Sequence, residues 1–212
     1  MIPNRPFRPA PVTARDKLLE AAVKLIRVKG YGSTSVDELC REAGVTKGAF
    51  FHHFASKEAL GVATANYWSQ STSGFFAEAP YHHLADPLDR VFGYIDLRIL
   101  LIGGPVEGFT CVAGTMVQEA FLSSPAIRAA CEASITANAA ALEADIAEAM
   151  AQHGVTGTTA LGLALHIQAV VQGAFILAKA GGGAPVAREH LAHLRRYFAL
   201  LFKTEEKAKH AG

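Results

Sequence analysis

Cysteine is scarce, with Cys40, Cys111 and Cys131 the only three in 212 residues. Their number is odd and none forms a CxxC pair, which argues against a disulfide framework or a thiolate zinc site and reads as reduced thiols. The signatures of common catalytic and phosphate-binding sites are missing too. GxSxG, HExxH, GxGxxG and the P-loop do not occur, and Gly30-Tyr31-Gly32-Ser33 follows no strand-like run, so an enzyme would rely on an unrecognised helical site. His52-His53 lacks HxxxH spacing, and adjacent residues point about 100° apart on a helix, so neither a metal nor a cofactor is expected. Met1 to Thr13 holds Pro and Arg but no apolar h-region, so a cytoplasmic protein is expected. Strand-type alternation is absent over any useful length.

Half of the residues are apolar, enough to bury a sizeable core. The net charge of +1 hides an asymmetry: residues 1–60 hold ten Lys or Arg against six Asp or Glu, and residues 61–212 hold ten against thirteen. Any polyanion-binding end is therefore the N-terminal one. Val155 to Ala178 contains no Asp, Glu, Lys or Arg and is long enough to span a bilayer. Its Thr156, Thr158, Thr159, His166, Gln168 and Gln172 would be costly against lipid, so it reads as a buried interface helix with no membrane partner.

Helical spacing organises the chain. Leu18, Leu19, Ala22, Val23 and Ile26 share one face of a helix over about Ala14 to Lys29, opened by Thr13 with Asp16 and stopped by Gly30 and Gly32. Ser35-Val36-Asp37-Glu38 is a capping box for a second helix carrying Val36, Leu39, Cys40 and Ala43, ended by Gly44. A third short helix runs from Thr46 to about Phe54, and Ser56 opens a longer one through Leu60, Ala63 and Tyr67. Two short helices joined by Ala43-Gly44-Val45 have the pattern of a helix-turn-helix. Further helices are expected at about 86–102, 108–122, 126–152, 158–180 and 187–202, separated at Gly103-Gly104-Pro105, Ser123-Ser124-Pro125, Gly154 and Gly181-Gly182-Gly183. The tail from Lys203 reads as frayed.

The stretch Gly44-Val45-Thr46-Lys47-Gly48-Ala49-Phe50-Phe51-His52-His53-Phe54-Ala55-Ser56-Lys57-Glu58-Ala59-Leu60 resembles the TetR family signature, and the resemblance covers about residues 13–60. It implies an all-α protein with an N-terminal three-helix DNA-binding domain (1–60, including the arm) and a larger helical ligand-binding and dimerisation domain (61–212). It also implies a homodimeric repressor of double-stranded operator DNA, released by a small-molecule effector. Thr46 and Lys47 stand at a helix N-terminus, where phosphate or a base edge is favoured. Gly48 and Ala49 let the helix come close to the groove floor, with Ala49 able to touch a thymine methyl. Phe51 replaces the family's usual Tyr and removes one phosphate-reaching hydroxyl. By resemblance, His52, His53 and Lys57, with Thr34 and Ser35, are further backbone contacts. Arg5, Arg8 and Arg15 fit a minor-groove arm and a solvated tail equally.

Beyond residue 60 the resemblance is to the family's variable half. Trp68, Phe75, Phe76, Phe92, Phe109, Met116, His166 and Phe175 are the expected pocket residues, because they are large and lie on helices expected to surround one cavity, although each also suits ordinary core packing. Cys111 resembles by position the detector of electrophile-sensing members. A redox or electrophile sensor is therefore one alternative, and a helical ligand-binding protein or enzyme without DNA binding is another. No Lys or Arg lies near Cys111 in sequence, so it is expected to react no faster than Cys131. Ala187, Leu191, Leu194, Phe198 and Leu201 draw an apolar seam, which with Gln172 and Gly173 is the expected dimer interface.

Overall fold

The structure is a computed structural model that describes residues 13–203. Arg5, Arg8 and the tail beyond Lys203 lie outside the described residues. All regular structure within them is helical. The first four helices follow the local signals closely. α1 (Ala14–Lys29) opens on Thr13, whose hydroxyl accepts from Asp16 N–H while the Asp16 carboxylate returns the bond. α2 (Val36–Ala43) has the same reciprocal cap between Ser35 and Glu38, and it ends at Gly44 with φ +63°. That left-handed turn suits glycine and swings the chain into α3 (Lys47–His53), capped by Thr46. α4 (Lys57–Ala77) starts on the Ser56 cap and runs without interruption past residue 60.

A short 3-10 turn at Pro80–His83 leads to α5 (Pro87–Leu101). The single helix expected over 108–122 is two: α6 (Val106–Phe109) and α7 (Val112–Ala120). Thr110 is extended, with ψ 160°, and Cys111 serves as the cap of α7, so the chain turns between them. α8 (Pro125–His153) follows, then α9 (Ala160–Leu177) and α10 (Gly183–Leu201). The triple glycine does not make the expected loop. A π-helical turn at Ala178–Gly182 carries α9 almost directly into α10, and Gly181 and Gly183 absorb the kink at φ +125° and +59°.

Two apolar clusters hold the molecule, and they do not divide at residue 60. The first joins Leu18, Leu19 and Ile26 of α1, Leu39 of α2 and Phe50 of α3 to Met116 of α7 and Ile127 and Cys131 of α8. The second joins α5 and α9 to the far half of α8, with Leu142 and Ile146, and to Leu191, Leu194 and Phe198 of α10. At 29 residues, α8 is about 44 Å long and takes part in both. The N-terminal helices therefore share a core with the body that carries them.

α9 shows why its composition passes a membrane test. With the following turn and α10 it is long and apolar enough to cross a bilayer by length and composition. Its Leu163, Ala164, Ile167, Val171 and Phe175 are buried inside the subunit, while Leu161, Leu165, Ile176 and Leu177 are exposed.

Candidate functional site

On α3, Phe50 is fully buried and Phe54, just beyond the helix, is nearly so, which turns the opposite face outward. That face presents Lys47, Gly48, Phe51 and His52, with the Thr46 cap at its start. Phe51 is 52 % exposed and meets Phe50 edge to face at 5.2 Å, so its ring is an apolar surface with no cover. A Cβ at Gly48 would come no closer than 3.8 Å to any neighbour, so nothing inside the protein requires glycine there. The Lys47 ammonium lies 3.0 Å from Asp37 of α2, both well exposed. His52 and His53 are exposed with rings 4.9 Å apart. Ala49 is half-buried.

Three expected phosphate contacts are placed differently. Thr34 is 1 % exposed and its hydroxyl donates to the Gly30 carbonyl at 2.7 Å, which takes it out of any surface. Ser35 is exposed, but its hydroxyl proton is given to Glu38 at 2.8 Å. Lys57 turns inward: its ammonium donates to the Gly32 carbonyl at 3.2 Å and sits 4.5 Å from the centre of the Tyr31 ring, and partial burial lowers its pKa. These side chains clamp the turn between α1 and α2.

The same turn is gripped from the body. Glu119 of α7 accepts from Gly32 N–H at 2.6 Å, and a Cβ on Gly30 would fall 2.3 Å from the Glu119 carboxylate. Glu58 of α4 accepts from Ser124 at the start of α8. These links tie residues 87 and 66 apart, out of reach of any local reading.

Inside the body lies a narrow cavity of about 30 Å³. Of the expected pocket residues it gathers Trp68, Phe109 and Phe175, with Cys111 beside them. The others are elsewhere. Phe75 is exposed, Met116 is buried in the first cluster, and Phe92 packs under Arg195, whose guanidinium is 4.6 Å from the ring centre. Phe76 packs against Arg98 and Tyr94 beside the cavity without lining it. His166 is exposed on α9, 5.1 Å from the Tyr197 ring, and does not reach the interior. The cavity is more polar than expected, because Thr72, Arg98, Ser134, Asn138, Gln168 and Gln172 also line it. Most of these sit among apolar neighbours on long helices, where the sequence gives no sign of which faces converge.

Cys111 is half-buried, and its sulfur accepts from Gly114 N–H at 3.3 Å. Arg27 and Lys179, distant in sequence, come within electrostatic range of it. Cys131 is fully buried, which pushes its thiol up to about 12. Of the two thiols Cys111 is therefore the more accessible, where the sequence expects no difference in reactivity between them.

The expected dimer seam is corrected as well. Leu191, Leu194 and Phe198 are buried against the subunit's own α5, α8 and α9, which leaves them no face for a second chain. Gln172 packs against Gly114 and the cavity. Gly173 and Leu201 remain half-buried.

A buried-core head with an outward helix, carried on an all-helical body, defines a helix-turn-helix protein. Residues 18–64 match the family model for "Bacterial regulatory proteins, tetR family". The chain is 48 % identical over 59 residues to the HTH-type transcriptional regulator YuxN of Bacillus subtilis, covering 27 % of this chain and 20 % of YuxN. It is 37 % identical over 60 residues to the HTH-type transcriptional repressor KstR2 of Mycolicibacterium smegmatis, 28 % of each chain. These matches thus span between a fifth and a third of the relatives' lengths. The crystal structure of a TetR family transcriptional regulator from Agrobacterium tumefaciens superposes with a TM-score of 0.76 at 25 % identity, over 87 % of this chain and 96 % of that one. Residues 18–64 thus carry the tetR-family signature, and the chain as a whole is similar in fold to a solved TetR family regulator.

Proposed function

We propose that the protein is a cytoplasmic transcription repressor that binds operator DNA as a homodimer through α3 and is released when a small molecule occupies the body cavity. The observation that carries this reading is the outward face of α3, where Lys47, Gly48, Phe51 and His52 stand exposed beside the Thr46 cap. A cation, two hydroxyl or imidazole groups and an uncovered ring on one short helix suit phosphates, base edges and thymine methyls.

Dimerisation through α9 and α10 is supported by their outer faces. Leu161, Leu165, Ile176 and Leu177 on α9 and Tyr197 and Leu200 on α10 are exposed, Leu200 to 79 %. An apolar surface spread over two adjacent helices is unusual on a monomer. A second copy supplies the cover and brings a second α3, so that two half-sites are read about 34 to 36 Å apart or at a multiple of that distance. Release by an effector requires that it bind the DNA-incompetent arrangement more tightly. The Glu119 and Glu58 links offer the route, since α8 and the Cys111 cap of α7 line the cavity while Glu119 of α7 and Ser124 at the start of α8 hold the head. No reaction is assigned to the chain.

Footprinting on the DNA flanking its own gene tests the reading. Two protected half-sites related by two-fold symmetry are expected, and protection no better than on unrelated DNA would refute it.

A further inference from the structure

The cavity holds one charge. Arg98 of α5 lines it, and no Asp or Glu does. A guanidinium stays protonated at any physiological pH, and Arg98 is half-buried, so an anion entering the cavity meets a fixed positive charge. Arg98 has no ion pair among the described residues. Its Nε donates to the Tyr94 hydroxyl at 2.9 Å, and its Cζ lies 4.1 Å from the centre of the Phe76 ring and 5.1 Å from that of Tyr94. Those contacts hold the guanidinium in place but leave its terminal N–H groups without a hydrogen-bond acceptor. By contrast Arg90, on the same helix, is answered by Asp145 at 2.7 Å and Glu148 at 2.6 Å. The fold thus neutralises one arginine of α5 completely and leaves the other facing a cavity.

The rest of the wall fits the same kind of guest. Asn138, Gln168 and Gln172 carry amide N–H donors, and Thr72 and Ser134 carry hydroxyls. Trp68, Phe109, Val171 and Phe175 supply an apolar side. We propose that the effector is a small carboxylate, its carboxylate held by Arg98 and its carbon body packed on Trp68, Phe109 and Phe175. The proposal rests on the effector reading above and names the chemical class of that effector. The volume of about 30 Å³ is far below the few hundred Å³ typical of ligand pockets, so the guest is small or the wall yields. The side that yields is Trp68, because it also borders an outer cleft of about 420 Å³. Arg27 of α1 lies over the Trp68 ring at 5.2 Å, and its Nε is buried without a partner. Displacing Trp68 therefore disturbs the first helix of the DNA-binding head.

Trp68 is the only tryptophan of the chain, so its fluorescence reports on the cavity wall. The experiment titrates the native dimer with acetate, propionate, butyrate and benzoate, and with the amide of each, while following both Trp68 emission and retention of labelled DNA. At least one acid is expected to saturate the signal, with its amide weaker by about 10- to 100-fold, and Arg98→Gln is expected to lose that preference while Arg98→Lys keeps part of it. The comparison of acid with amide uses the native chain, so it stands even where a variant fails to fold. Equal binding of acids and amides, or no response to any acid at millimolar concentration, overturns the proposal. Acids that bind through Arg98 without releasing DNA uphold the anion site and refute the release mechanism. Amides that bind and release DNA where acids do neither refute the anion site and leave the release mechanism intact.

Discussion

Glu38 is the most strongly held carboxylate of the head. Lys29 donates to it at 2.5 Å, and the backbone and hydroxyl of Ser35 add bonds at 2.9 and 2.8 Å, so its pKa falls to about 2. A carboxylate whose folded pKa lies below its unfolded value, about 4.3, adds stability above that value and loses it as the pH drops through the folded pKa. Glu38→Gln is therefore expected to melt below the native protein at neutral pH, with the gap closing as the pH falls toward 2. Thermal melts of both chains across that range check it, and a gap independent of pH would contradict it. At this scale the sequence was informative wherever partners are close. The caps at Thr13, Ser35, Thr46 and Ser56 all lie three residues from the N–H they serve. It was silent on Thr34 and Lys57, whose inward turn depends on the carbonyls of Gly30 and Gly32. Arg98 was missed because a lone Arg on an amphipathic helix reads as solvated until the neighbouring helices are known.

Among the elements, α7 is a nine-residue helix whose Cys111 cap lines the cavity and whose Glu119 reaches the head. Glu119 near its end holds the Gly32 N–H from across the fold. Glu119→Ala removes one charge-assisted bond, a loss of about 1 kcal/mol for an exposed carboxylate. The expected result is a small drop in melting temperature together with faster hydrogen exchange at Gly32, while the α2 and α3 amides stay protected. Unchanged exchange at Gly32 would show that the link carries nothing. The existence of the longer helices was legible, since apolar periodicity and caps are local; the turn at Pro80–His83 and the four-residue α6 were not. Two boundaries were not: the break at Thr110-Cys111 and the continuation through the triple glycine. In the first, residues with no breaking propensity turn the chain because Cys111 caps α7. In the second, glycine absorbs a kink where a loop was expected.

At the scale of the whole molecule, the proposed dimer face distinguishes two readings of the same helix. The apolar repeat on α10 is real, but its Leu194 and Phe198 face inward, and only α5, α8 and α9 packed around them reveal that. Periodicity identifies a buried stripe without saying whose residues bury it. Leu200→Glu, on the exposed side, is expected to give folded monomers by light scattering with unchanged circular dichroism. Leu194→Glu, in the subunit core, is expected to cost more than about 3 kcal/mol and unfold the chain. A folded, monomeric Leu194→Glu would return the interface to the inner seam.

The central claim is that α3 meets DNA with Thr46 and Lys47 leading. Its most direct test is the affinity of the native protein and of Lys47→Ala for the DNA beside their own gene, measured across a range of salt. To reach a phosphate the Lys47 ammonium must leave Asp37, which at 3.0 Å and high exposure is a weak competitor. The native log affinity is expected to fall linearly with log salt, and the variant to bind more weakly with a slope shallower by about one unit per half-site. Superimposable curves for the two proteins, or an affinity indifferent to salt, would contradict the account.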